Sequence, residues 1–275
     1  MHRLLAIAAV ILGAGAGAGD AVADEVPPAP TAPRVIHAPT AWLQPSGQLH
    51  ASAGASHRAG ALAAVALGLG GVAEVDLDLT DRWSGCAPCT GDRAPLRLDA
   101  TSALFKLGLA TARRGPRPRA GVALGFRRTI GTRRVTAGER TARLDAAQLY
   151  LVGGGAWRGL EVHAGAELHA ARHGDAGLLG SPRDRVRPLA GLAWTPAPYP
   201  RTALLVDVTW TPSVEPAEPA LRWSIGWGVR YQALRWGSIE LAVRNREAEA
   251  LGDATVFVRV NGVLALGRPL GSGLD

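Results

Sequence analysis

The sequence predicts an all-β fold: an up-and-down antiparallel transmembrane β-barrel of about 12 strands, within a range of about 10–14. Three observations carry this. Strand-length segments put apolar residues on one face and polar or charged residues on the other, with a period of two. The connections alternate between short and long, as they must when every second one lies at the same rim. Beyond the first residues there is no run of about 18 apolar residues, so no helical membrane span can be read. Apolar residues make up 47% of the chain, yet mean hydropathy is close to zero, because the apolar residues are dispersed.

The elements follow in chain order. Residues 1–23 read as an export signal: His2 and Arg3, a short apolar core at 4–12, and the small-x-small site Ala21-Val22-Ala23. Residues 24–46, with Pro27, Pro28, Pro30, Pro33, Pro39 and Pro45 among alanines, read as a Pro/Ala-rich periplasmic leader rather than a folded unit. The barrel is expected over 47–268, followed by a tail at 269–275. Its clearest strand sets Leu221, Trp223, Ile225, Trp227, Val229 and Tyr231 against Arg222, Ser224, Gly226, Gly228, Arg230 and Gln232. Ile239, Leu241 and Val243 oppose Glu240, Ala242 and Arg244, and Val256, Val258 and Val260 oppose Phe257, Arg259 and Asn261. Leu160, Val162, Ala164, Ala166 and Leu168 oppose Glu161, His163, Gly165, Glu167 and His169. Val75, Leu77 and Leu79 oppose Glu74, Asp76 and Asp78. Weaker strands are read at 49–56, 62–69, 101–109, 120–127, 188–194 and 203–210. At 145–152 either parity can be made apolar.

Short connections fall at Gly70-Gly71, 113–118, 154–159, 196–201 and 233–237, and longer ones at 82–95, 128–143, 170–185, 212–219 and 247–254. Only 57–60 breaks the alternation. Cys86 and Cys89, as Cys-Ala-Pro-Cys, read as a local disulfide in an exported chain. Free thiols and a redox or metal pair are the alternatives, although the loop-like residues that follow do not supply the helix start a redox motif needs.

Export signal, alternating strands and loop parity, together with aromatic belts, resemble the bacterial outer-membrane β-barrel (porin-like) class over roughly residues 47–268. Trp83, Trp210 and Trp223 fall near one set of strand ends. Trp157, Trp194, Tyr199, Tyr231 and Trp236 fall near the other, and Trp227 sits mid-strand. The resemblance implies a location in the bacterial outer membrane, with outer-membrane lipid as a partner. The sequence departs from such barrels at 264–275, which lacks the aromatic residue common at the end of their last strand.

The faces opposite the apolar ones carry the candidate lumen-lining residues Glu74, Asp76, Asp78, Glu161, His163, Glu167, His169, Arg222, Arg230, Glu240, Arg244 and Arg259, together with Lys106, Arg127 and Asp207. As a selectivity lining, they imply a narrow passive channel for small hydrophilic solutes or ions. As internal ion pairs, they imply a charge-plugged structural or adhesive barrel acting through its external loops. In both readings Arg222, Arg230, Arg244 and Arg259 would face Glu74, Asp76 and Asp78 across or beside the closing seam. A lipid-active outer-membrane hydrolase and an exported β-sandwich are the remaining alternatives. His50 and Ser52 share a face, but no Gly-x-Ser-x-Gly elbow or acidic partner accompanies them, so no catalytic set and no enzyme is read. The stripe Glu161, His163, Glu167, His169 spaces its members about 7 Å apart, so a metal would need ligands from neighbouring strands, and neither metal nor cofactor is expected. The net charge of +7 comes from scattered arginines behind an export signal, so no nucleic-acid partner is expected.

Overall fold

The computed structural model describes residues 32–56, 60–84, 96–114, 117–130, 134–137, 140–173, 186–212, 221–247 and 250–266. The expected export signal, Cys86, Cys89 and the tail at 269–275 lie outside the described residues.

Among the described residues, thirteen strands form one sheet. They are β1 (Gln48–Ser56), β2 (Gly60–Leu69), β3 (Ala73–Ser84), β4 (Leu96–Arg114), β5 (Arg117–Thr129), β6 (Arg134–Ala137) and β7 (Arg140–Trp157), then β8 (Leu160–His173), β9 (Val186–Trp194), β10 (Thr202–Pro212), β11 (Leu221–Leu234), β12 (Gly237–Arg246) and β13 (Thr255–Ala265). Each pairs antiparallel with its neighbours, and β1 pairs with both β2 and β13, which closes the ladder. β6 is not a separate stave. It continues the line of β5 and pairs with the same two neighbours, β4 and β7. The result is a closed antiparallel barrel of 12 staves. β4 and β7 run to 19 and 18 residues, longer than the roughly 9–11 a membrane crossing needs, because each extends past β5 to pair with β6.

Closure removes every sheet edge, so all ladder groups are paired without water, the condition for a sheet to stand in lipid. The side chains complete that condition. Val75, Leu77, Phe105, Leu107, Phe126, Leu204, Val206, Ile225, Val229, Leu241, Val256, Val258 and Val260 all point outward and are exposed. A continuous apolar exterior of this extent does not persist in water, and it marks the surface that meets lipid. The ambiguous stretch in β7 resolves with Leu149 and Leu151 outward and Tyr150 and Val152 buried inward. Tyr150 lies flat over Gly125, its cross-strand partner on β5, where any Cβ would strike the ring. Trp157, Trp194, Tyr199 and Tyr231 are exposed near the rim that bears the tight turns, and Trp227 is exposed in mid-strand. One of these turns is Arg158-Gly159, with φ of 47° and 83°, the left-handed pair that a two-residue hairpin connection requires.

An arginine placed outward at Ile225 or Val258 meets lipid rather than lumen. Ile225→Arg and Val258→Arg are expected to cost about 2–4 kcal/mol near the midplane. The measurement is loss of the heat-modifiable band when unboiled protein from the membrane fraction is run on a gel.

Candidate functional site

Of the expected leader, residues 34–45 lie inside the barrel, packed against its inward faces. Val35, Ile36, Ala38, Thr40, Ala41, Trp42 and Gln44 are each at most 3% exposed. The composition that reads as a linker suits this position: prolines bring no N–H to satisfy, and alanines fit a lumen already narrowed by inward side chains.

The segment enters beside β1, where Gly47 N–H donates to Gly68 O and Gln48 N–H to Pro45 O. The carbonyls of Gln44 and Pro45 press on Gly68, leaving no room for a Cβ there. Gln44 N–H donates to Glu74 Oε2 at 2.9 Å, and Glu74 is paired with Lys106 Nζ at 2.9 Å, both side chains fully buried. The Trp42 indole donates to Glu161 Oε2 at 3.1 Å and stands edge-on to the His163 ring. His163 Nδ1 accepts the Ala41 N–H at 3.2 Å. Residues 33–40 then fold back on themselves, with Val35 N–H donating to Ala38 O and Thr40 N–H to Pro33 O.

This turn is gripped by charges on β10, β11 and β13. Asp207 Oδ2, on β10, accepts the N–H groups of Ile36, His37 and Ala38 at 3.1, 2.5 and 2.7 Å. Arg230, on β11, donates to the carbonyls of Arg34 and Val35, and Arg259, on β13, donates to that of Ile36 at 3.0 Å. Glu240 holds both arginines, at 2.9 and 3.5 Å. The Arg34 side chain reaches back to β3 and binds Asp76 and Asp78.

Arg230 and Arg259 pair with Glu240 and the plug backbone, and Asp76 and Asp78 take Arg34, because the leader lies between the two walls. The stripe on β8 divides. Glu161 and His163 face the plug, whereas Glu167 binds His169 at 3.1 Å and also accepts from Gln148 and from the Trp210 N–H. Arg244 is buried and Arg222 half-buried on the inward faces of β12 and β11. His50 and Ser52 are buried on the inward face of β1. Arg34, Trp42 and Gln44 escaped sequence reading. The available signal was a lone Arg and Trp inside a Pro/Ala stretch, together with an acidic triplet at 74–78.

No family model matches the chain, and no curated protein matches it. Solved structures similar to it include a KdgM porin in complex with disordered oligogalacturonate, at 8% identity and TM-score 0.46, covering 80% of this chain and 99% of that one. The translocator domain of the autotransporter NalP from Neisseria meningitidis is similar at 13% identity and TM-score 0.43, covering 78% and 85%. Outer membrane phospholipase A from Escherichia coli is similar at 12% identity and TM-score 0.41, covering 81% and 90%. A porin, a translocator and a phospholipase stand at similar distance, so no activity follows from these likenesses.

Asp207→Ala removes the acceptor of three N–H groups. Amide exchange at residues 36–38, read by mass spectrometry, is expected to accelerate at least about tenfold, since hydrogen bonds to a charged group contribute about 1.5–3 kcal/mol each. Amides in the barrel strands are expected to keep their protection. By architecture, closed, antiparallel, apolar outside and polar within, the chain is an outer-membrane β-barrel.

Proposed function

We propose that this barrel is a narrow channel for small hydrophilic solutes or ions, closed in the folded state by its own N-terminal segment, so that passage requires the segment to move. The observation that supports the reading best is the mode of attachment. Side-chain hydrogen bonds, ion pairs and apolar packing hold the plug, with no strand ladder joining it to the wall among the described residues, so it can leave without dismantling any part of the sheet. The wall it leaves is polar and charged, a surface that water wets readily. Neither covalent chemistry nor a cofactor enters this proposal, and outer-membrane lipid is the partner of the outer face.

A second reading, a permanently filled structural or adhesive barrel working through its external loops, draws on the pairs Lys106–Glu74 and Arg230–Glu240, which bind within the wall itself. Planar-bilayer conductance separates the two. The full mature chain is expected to stay closed almost all the time. A full-length variant carrying Arg34→Gln and Ile36→Pro loses the ion pairs to β3, one N–H to Asp207 and a buried side chain, all from the plug and none from the wall. It is expected to open in discrete steps. A variant that is folded by gel shift yet silent would overturn the channel and leave the structural reading.

A further inference from the structure

We infer that the wall around Asp207, Arg230 and Arg259 is a binding site for peptide main chain. The chain's own turn at residues 34–38 fills it in the closed state, and a short free peptide takes it once that turn withdraws. The inference rests on the channel reading and names the solute class for it.

The wall addresses the turn through its backbone. Asp207 Oδ2 accepts three successive N–H groups, from Ile36, His37 and Ala38. Arg230 Nη2 donates to the carbonyls of Arg34 and Val35, and Arg259 Nη1 donates to that of Ile36. These contacts read residues 34–38 without reference to their side chains. Any peptide that makes the same turn offers the same groups, whereas a simple ion or a sugar offers no row of aligned N–H donors.

The two arginines are set in place by the wall itself. Arg230 Nε donates to Glu240 Oε2 at 3.0 Å, and Arg259 Nη1 lies 3.5 Å from Glu240 Oε1, with Glu240 fully buried. A site held ready in this way loses little freedom on binding. Asp207 is the group that needs the ligand. It is 2% exposed, and among the described residues its hydrogen bonds all run to the turn. Its Oδ1 is buried with no hydrogen-bond partner among them. A buried carboxylate stripped of three donors at once is costly to leave bare, so it favours a ligand that brings them back. The same place takes apolar side chains. Val35 and Ile36 pack with Leu205, Ala242 and Phe257, and the missing Cβ atoms of Gly191 and Gly226 leave room for those two side chains. The ligand that fits is a short peptide turn with adjacent aliphatic side chains.

The test uses the full-length Arg34→Gln, Ile36→Pro protein, because the tethered plug of the unaltered chain competes at an effective concentration on the order of millimolar. The probe is a fluorescent synthetic peptide with the sequence of residues 32–45. Its binding is read by anisotropy on folded protein in detergent, and its block of the current in planar bilayers. A second peptide, with an ester oxygen in place of the Ala38 N–H, loses one donor to Asp207 and keeps every side chain. It is expected to bind at least about tenfold more weakly. Adding Asp207→Ala to the protein is expected to remove the difference between the two peptides. Asp207→Asn, which keeps the shape, serves if the alanine variant fails to fold by gel shift, and is expected to shrink the difference. Failure of the unmodified peptide to bind, equal binding of the two peptides, or a difference that survives Asp207→Ala would overturn the site and leave a conducting channel standing. A folded protein that binds the peptide but never conducts would overturn the channel reading, and with it the peptide as solute.

Discussion

A polypeptide segment lying inside a closed barrel has no strand to pair with, yet its N–H and C=O groups are out of bulk water and must find partners. The rest of the interior follows from that constraint. Asp207 takes three successive N–H groups, Arg230 and Arg259 take three carbonyls, and Glu74 and His163 take one N–H each. The inward charges are thus acceptors and donors for a main chain as much as they are a lining. They come from β3, β8, β10, β11 and β13, so the plug is fixed from nearly all round the wall.

Charge then has to balance at close quarters. Lys106 with Glu74, and Glu240 with two arginines, are arrangements in which each buried charge has a partner of opposite sign. A buried ion pair adds little net stability over an apolar pair, but one left without its partner is costly. The wall is accordingly built so that most of its charges remain paired with or without the plug. The plug answers two others: Arg34 binds Asp76, and three plug N–H groups bind Asp207. The attachment combines polar contacts with apolar packing, and it is separate from the ladder that holds the barrel.

Volume sets the second limit. The lumen of a 12-stave barrel is wide enough for a chain segment only where the wall gives way. Gly68 lets the carbonyls of Gln44 and Pro45 lie on the wall, and Gly191 leaves room for the Val35 side chain. The outer surface obeys a different solvent. There apolar residues such as Leu77, Phe105, Ile225 and Val258 are turned outward, and the aromatic rings near the tight-turn rim sit where an amphipathic group is half wet.

Alternation alone determined the architecture. Because successive strand residues face opposite sides, Ile225, Trp227 and Val229 against Gly226, Gly228 and Arg230 could be sorted into lipid and lumen faces without coordinates, and the loop parity gave the up-and-down order. Strand 145–152 was undecided because both its faces carry apolar side chains, and only the packing of Tyr150 over Gly125 settles it. The plug was illegible for a stronger reason. Residues 34–45 have no periodicity, since they pair with nothing regular, and the prolines and alanines that let them thread a lumen are those that make a flexible linker. Which acid meets which base was equally hidden. Arg34 is more than 40 residues from its partners on β3, and Ile36 is 171 from Asp207. Such contacts are made by chain closure in three dimensions, to which local sequence pattern is blind.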